Sequence, residues 1–564
     1  MRTPRFTALV MMALAMLSML YSCQPKSKKM EKELFDFIAR YETSVKPIYT
    51  ESNLAYWNAS ISGKAEDWAR AEEGQVKLTE LHASKENFAL LKKIKESGAV
   101  TDALLLRQLN TLYNSYLSSQ ADIEKLKEKI KLETEVEQKY SNFRAEVRGK
   151  MIPDNEVEEI LKTSTDNALL QEAWFAHKNI GPLVSDDVKR LAKLRNEIAS
   201  ELGFSNYHQM SLTLSDQNPV DVHLLFDELD LLTRDAFAQL KDDIDTHLSK
   251  RYTVEKHELM PWHYQNRFFQ EAPRIYTVDF DKYYANQNIE KLTRDFYHGI
   301  GLDIDDVLAK SDMYEKSGKN QHAYCIHIDR EGDVRVLCNL RSNYNWMNTN
   351  LHEFGHAVYD KYLDPVLPFV LKDPAHPFTT EAIAMIFGRF ASNPLWMCDM
   401  GIITHTEMEK IARESFNSLR LEQLVFSRWS QVMYRFEKGM YENPDQDLNA
   451  LWWNLAETYQ LLHKPIGRNE PDWAAKIHVA LYPCYYHNYH LGELLASQLF
   501  YHITTSVLGS GDFSNQSFVN QPEVGDYLKT NVFMPGSRWY WNDMIEKAIG
   551  EKLTAKYYAM QFVE

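Results

Sequence analysis

Within the stretch Leu351-His352-Glu353-Phe354-Gly355-His356-Ala357, residue type and spacing are suited to metal chemistry. On a helix, residues four apart share a face, so His352 and His356 project side by side and Glu353 reaches the same neighbourhood from a rotated position. Two neutral imidazoles bind Zn²⁺ well, and a carboxylate beside them that is not a ligand can accept a proton from water. A catalytic zinc site also needs a third protein ligand. Glu381, in Thr380-Glu381-Ala382-Ile383-Ala384, is the candidate, 25 residues beyond His356. The stretch between them carries Asp364-Pro365, Pro368, Asp373-Pro374 and His376-Pro377, which ends the first helix and returns the chain. Thr379 or Thr380 is expected to cap a second helix whose first turn presents Glu381. Without the distant glutamate the histidines could simply pack in a core. With it, the pattern is that of a one-zinc peptidase of the gluzincin type.

The elements that position these residues read as almost entirely helical. Leu34, Ile38, Tyr41 and Val45 recur at helical spacing, as do Leu105, Leu109, Leu112 and Tyr116, and Ile123-Leu126-Ile130 continues the pattern. Residues 31–145 are therefore expected to be long amphipathic helices forming a lid over a catalytic domain that spans 31–564. Pro153-Asp154-Asn155 starts a helix, Gly181-Pro182 breaks the chain, and Gly203 ends the helix carrying Leu191, Leu194, Ile198 and Leu202. Thr404-x-x-Glu407 reads as a capping box before a long aromatic-rich helix. The exception is β-prone: Ala323–Ile328 and Val334–Leu337 flank the turn Arg330-Glu331-Gly332-Asp333 and predict a small antiparallel hairpin just before the zinc helix. Such a hairpin is either purely structural or an edge on which an extended peptide can pair. Further on, Lys476 is a candidate cation for a substrate's terminal carboxylate. The cluster Tyr485-Tyr486-His487-Asn488-Tyr489 offers either core packing or a neutral donor for a developing oxyanion.

With 564 residues, 44% of them hydrophobic and 12% aromatic, the chain can bury a large core. A net charge of −16 argues against a nucleic-acid partner. Cys23, Cys325, Cys338, Cys398 and Cys484 show no C-x-x-C pairing, so they form neither a zinc ribbon nor a dithiol redox motif. Arg2 and Arg5 precede an apolar run, Phe6–Leu20, that ends in Leu20-Tyr21-Ser22-Cys23. That is short for a membrane span and suits a signal sequence. It resembles a bacterial lipoprotein signal, in which residues 1–22 would be removed, Cys23 lipidated and 23–30 left as a linker; a general secretory cleavage nearby is the alternative. The expected location is extracytoplasmic, lipid-anchored to a bacterial membrane. A disulfide among the other four cysteines is possible there.

At this point the residues resemble the angiotensin-converting-enzyme family of zinc peptidyl-dipeptidases over most of the mature chain. The resemblance begins at Tyr56-Trp57-Asn58 and is strong from His322-Ala323 through His352–His356 to Glu381-Ala382-Ile383. It resumes at Trp452-Trp453-Asn454-Leu455, Tyr459-Gln460, Arg468-Asn469-Glu470, Lys476-Ile477-His478 and Pro535-Gly536-Ser537 through Trp541 to Gly550. It implies a mainly α fold, a large helical ellipsoid with a deep central cleft and a small β hairpin beside the zinc helix. By position, His352, His356 and Glu381 would hold one Zn²⁺ and Glu353 would be the general base. His322, Ala323 and Tyr489 would contact substrate, Lys476 would hold its carboxylate, and His478 would contact its backbone. Tyr486 is favoured among the three tyrosines for the oxyanion. Oligopeptides are the expected substrates and a monomer the expected state.

Three positions depart from the family. Met385 stands where it usually has an aspartate that orients a zinc histidine, so that support must come from elsewhere. Ala456 and Tyr485 stand where it has chloride-binding arginines, so no chloride dependence is expected. The interval from His356 to Glu381 is one residue longer than in the family's animal members and closer to the thimet-type oligopeptidases. Internal cleavage of short peptides, or removal of single residues, therefore stands as an alternative to dipeptide release. A peptide-binding lipoprotein without turnover is the alternative that is not an enzyme.

Overall fold

The computed structural model describes residues 26–276, 278–512 and 516–563 and is mainly α-helical, with two short antiparallel strand pairs. Cys23 lies outside the described residues. Among those residues no helix is long and apolar enough to cross a membrane. Cys325, Cys338, Cys398 and Cys484 are all free thiols.

The chain divides into two compact units. The first comprises residues 26–59, 64–120 and 366–371. It is built from α1 (Lys26–Ser62), α2 (Ala65–His82), α3 (Lys85–Glu96) and α4 (Ala103–Leu117). Leu34, Phe37, Ile38, Tyr41 and Val45 of α1 meet Leu91, Ile94, Leu109, Leu112 and Tyr116, and the turn Phe369–Leu371 joins this core. Ser84 and Asp102 accept from the backbone N–H groups of Asn87 and Leu105, satisfying donors that each helix start leaves open.

The second unit holds residues 60–63, 121–365 and 372–564. It begins with α5 (Ile123–Asn142), so this helix packs with the second unit although its sequence continues the pattern of the first. Ile123 and Ile130 point to solvent, and α5 buries Leu132 and Val136 instead. A hairpin absent from the sequence reading follows, β1 (Ala145–Val147) with β2 (Lys150–Ile152). Its turn needs left-handed backbone at Arg148 and Gly149. Next come α6 (Asp154–Thr163), α7 (Asn167–Lys178), α8 (Ile180–Glu201), α9 (Tyr207–Leu214) and α10 (Pro219–Tyr252). Gly181-Pro182 lies in the first turn of α8, where proline's missing N–H costs nothing, and the break itself is the single residue Asn179. Gly203 sits just past α8 at φ +90°, the left-handed position that ends helices.

The site-bearing part follows: α11 (Ile289–Gly299), β3 (Tyr324–His327), β4 (Val334–Leu337), α12 (Tyr344–Lys361) and α13 (Pro377–Arg389). The hairpin forms as expected, Tyr324 opposite Leu337 and His327 opposite Val334, with Arg330 and Gly332 in the turn at positive φ. β4 is flanked by β3 on one side and bridged to Asp312 on the other, which leaves β3 as the outer strand. Asn343 caps α12 by accepting from Trp346 N–H, and the Tyr297 hydroxyl of α11 donates to Leu351 O at 2.5 Å. Then come α14 (His405–Glu442), α15 (Leu448–Leu455), α16 (His487–His502), α17 (Trp541–Ile549) and α18 (Lys556–Phe562). Thr404 caps α14 by accepting from Glu407 N–H. The Trp452-Trp453 and Arg468 motifs meet at Asp472, which takes a paired contact from Arg468 and another from Trp453 Nε1.

α12, α13 and α16 pack in sequence, and α12 and α13 carry the candidate metal ligands. Close approach is possible because Gly355 has no side chain. A Cβ there would stand 2.7 Å from Ala384 Cα, inside any real contact. Gly492 does the same for α16, lying against Met385 Sδ and Glu381 Cβ.

Candidate active site

His352, His356 and Glu381 come together as their spacing predicts, each partly buried, and among the described residues they form the one such cluster of three able to hold a metal ion. His352 Nε2 and His356 Nε2 are 3.2 Å apart, and Glu381 Oε2 lies 3.6 and 3.8 Å from them. A tetrahedral ion with ligands at about 2.0–2.1 Å has edges of about 3.3–3.4 Å, so this donor set fits Zn²⁺. Burial pushes His352 down to about 4 and, with His352 beside it, His356 well below its ordinary value. The imidazoles are thus neutral, as ligands must be. Burial pushes Glu381 up to about 7. Burial and then the Glu381 carboxylate push Glu353 up to about 8, opposed by the backbone N–H of Cys325. Two desolvated carboxylates facing two neutral imidazoles are a site built for a cation.

The cap of α13 differs from expectation. His376 is the N-cap, its Nδ1 accepting from Phe378 N–H, and Thr379 Oγ1 completes the box by accepting from His376 N–H. Pro377 takes the first helical position, so Glu381 is presented from the second turn rather than the first. Thr380 is thereby released from capping, and its Oγ1 sits 2.8 Å from His356 Nδ1. This hydroxyl supplies the orienting contact that Met385 cannot. Thr380→Val is expected to weaken zinc binding about 10–100-fold with the fold intact, as measured by chelator competition. Unchanged affinity would remove Thr380 from this role.

The other candidates divide into two groups. His322 is exposed at the head of β3, its N–H held by Asn320 Oδ1, and Ala323 follows it directly into the outer strand. Lys476 is buried and donates to Gln270 Oε1 at 2.5 Å, with the rings of Phe268, Trp429 and Tyr486 each 5.3 Å away. Burial, then the Arg267 guanidinium, pushes its ammonium down to about 7. His478 stacks edge-on against Tyr486 at 5.1 Å and is pushed down to about 4 by burial. Gln270 escaped the sequence reading because it lies in an irregular loop, just after left-handed residues at Gln265 and Phe269, with no periodicity to mark it.

The tyrosines separate on the same basis. Tyr489 is on α16 three residues before Gly492, hence on the face that meets Glu381. The Glu381 carboxylate, after burial, raises both Tyr489 and Tyr485, the latter to about 12. Tyr486 is raised by burial and packs with Lys476, His478 and Trp429. A cavity of about 530 Å³ opens among Tyr207, His478, Tyr482, Tyr485 and Tyr489.

The family model described as angiotensin-converting enzyme matches residues 28–563. The chain is 22% identical over 495 residues to angiotensin-converting enzyme of Theromyzon tessulatum, covering 81% of this chain and 79% of that one. It is 21% identical over 561 residues to the angiotensin-converting enzyme-like protein Ace3 of Mus musculus, covering 91% and 73%. It is 22% identical over 457 residues to angiotensin-converting enzyme of Haematobia irritans exigua, covering 72% of each.

Proposed function

We propose that this chain, which belongs to the angiotensin-converting-enzyme family of peptidases, is a zinc-dependent peptidyl-dipeptidase releasing dipeptides from the C-terminus of oligopeptides. The observation that carries the reading is the pairing of two features in one unit: a three-ligand metal centre with a buried carboxylate beside it, and a buried lysine held by a glutamine amide. The first hydrolyses; the second reads a terminal carboxylate.

His352, His356 and Glu381 would hold the zinc, which when bound supplies Lewis-acid polarisation of the scissile carbonyl and acidification of water. Glu353 takes the proton of the attacking water and delivers it to the leaving amine. Lys476 pairs with the substrate carboxylate through a charge-assisted hydrogen bond. Ala323, at the head of the outer strand β3, and His322 and His478 hold the peptide backbone.

The oxyanion donor in this reading is Tyr489 rather than Tyr486, because Tyr489 shares the Glu381-facing side of α16 whereas Tyr486 packs on Lys476. Tyr489→Phe is expected to lower kcat about 100-fold with KM little changed. Tyr486→Phe is expected to leave kcat within a few fold and raise KM for peptides with a free C-terminus. The reverse pattern would return the role to Tyr486. The same proposal includes no halide dependence, a monomer, and an extracytoplasmic position anchored through Cys23, supported by the Arg2-Arg5 and Phe6–Leu20 pattern.

The function is tested by metal removal. Chelator-stripped protein is expected to lose peptide hydrolysis and to regain it with one equivalent of Zn²⁺ per chain. Hydrolysis that persists in metal-free protein would overturn the reading.

A further inference from the structure

A separate cavity, of about 270 Å³, is lined by Glu271 and Ala272, the residues that follow the Lys476 partner Gln270, and by Lys162, Arg274 and Glu422. The Glu271 carboxylate acts electrostatically on both the Lys476 ammonium and Tyr486, so the cavity adjoins the proposed carboxylate anchor. It is smaller than the about 300–1,000 Å³ of small-molecule sites and suits a single long side chain. Glu422, Phe426 and Trp429 follow one another on α14 at the spacing of one helix face. Trp429 lies against Lys476 and Phe426 against Tyr486. Glu422 therefore stands about 10 Å along the helix axis from the residue that flanks the lysine.

The charges of the lining are unevenly matched. Glu271 pairs with Lys162 Nζ at 3.1 Å, and Arg274 is exposed. Glu422 accepts from Ala272 N–H at 3.2 Å, and among the described residues no cation stands within ion-pair distance of it. Solvent reaches the Glu422 side chain, yet the surrounding walls desolvate it. That desolvation pushes its carboxyl up to about 7 against the Ala272 N–H, with Glu271 adding to the rise and Lys162 opposing it. Glu422 is thus an open but poorly solvated carboxylate that no neighbour neutralises, and a cation brought into the recess stabilises its charge.

With a substrate carboxylate held at Lys476, the last residue is the one whose side chain is near enough to enter this cavity. An acidic side chain there would meet Glu422 and Glu271 together. An apolar one would cover a desolvated carboxylate without pairing it. A guanidinium or an ammonium supplies the missing partner through a charge-assisted hydrogen bond. We infer that the cavity takes the side chain of the substrate's C-terminal residue and that Glu422 selects arginine or lysine there, so that peptides ending in a basic residue are favoured. The inference rests on the proposed role of Lys476 as carboxylate anchor and names the class of peptide that this site prefers.

The test measures kcat/KM of the zinc-loaded mature protein on N-blocked peptides that differ only in a C-terminal arginine, citrulline or glutamate. Citrulline matches arginine in shape and carries no charge. The arginine peptide is expected to exceed the citrulline peptide about tenfold, mainly through KM, as one hydrogen bond between charged groups supplies. The glutamate peptide is expected to be the poorest. Glu422→Gln should bring arginine down to the level of citrulline, and Glu422→Lys should place glutamate above arginine. Glu422 is exposed, so both variants are expected to fold. Equal rates on arginine and citrulline in the wild type would overturn the inference while leaving dipeptide release standing, and so would an arginine preference that survives in both variants. If no peptide is cleaved, the hydrolytic reading falls by itself. Calorimetric titration with the same peptides then decides this one, a ratio of about tenfold in dissociation constant upholding it and a ratio of one overturning it.

Discussion

Glu353→Gln is expected to lower kcat/KM for peptide hydrolysis about 10³-fold while the protein still binds one zinc per chain. Glutamine matches glutamate in size but cannot take a proton from water, and general-base catalysis contributes about 10²–10⁴-fold. Zinc is retained because Glu353 is not among the three ligands. Folding should not suffer either. The site disfavours the Glu353 charge, through burial first and the Glu381 carboxylate second, so a neutral amide removes a cost. Activity, zinc content and melting temperature measured on one preparation check this. A folded, zinc-loaded variant with the wild-type rate would leave Glu353 with no part in proton transfer.

The second large effect is expected at Lys476. Replacing it by Met should raise KM roughly 100-fold or more for peptides with a free C-terminus, since losing one partner of a desolvated charge pair costs about 2–5 kcal/mol. Stability should hold or rise. A lysine whose folded value is near 7, against about 10.4 unfolded, costs stability in full below pH 7 and progressively less up to about pH 10. The lowered value also predicts a pH dependence. In the free enzyme the ammonium is present below about pH 7 and lost above it, so kcat/KM for such peptides falls as pH rises through that range. Lys476→Arg keeps the charge and should remove the fall. A profile that is the same with lysine, arginine and methionine would show that Lys476 is not the anchor.

Much of the metal site was legible in the sequence because helical geometry is nearly context-free. His352 and His356 must share a face at four-residue spacing, and the proline-rich return made Glu381 available as a third ligand. The β3–β4 hairpin was legible for a similar reason: alternating β-prone residues flank a turn with glycine at the position of positive φ. What could not be read depends on packing between distant segments. Gln270 meets Lys476 across 206 positions of chain, and the role of Thr380 appears only once His376 is seen to cap α13. The choice between Tyr486 and Tyr489 needed Gly492, whose contact with Glu381 fixes which face of α16 looks at the metal ligands. The β1–β2 hairpin was too short, three residues a strand, to show a period. Ile123 and Ile130 followed the helical pattern and still face solvent, because periodicity gives a stripe but not what covers it.

Release of dipeptides from a free C-terminus is the central claim, and product analysis tests it most directly. The purified mature protein with zinc is given a peptide of about ten residues, once with a free C-terminus and once amidated, and the products are weighed by mass spectrometry. Dipeptides released stepwise from the free peptide, with the amidated one cleaved far more slowly, are the predicted result. Internal cuts in both peptides alike would contradict it and place the chain with the oligoendopeptidases, and no cleavage by zinc-loaded protein would make it a peptide-binding protein instead.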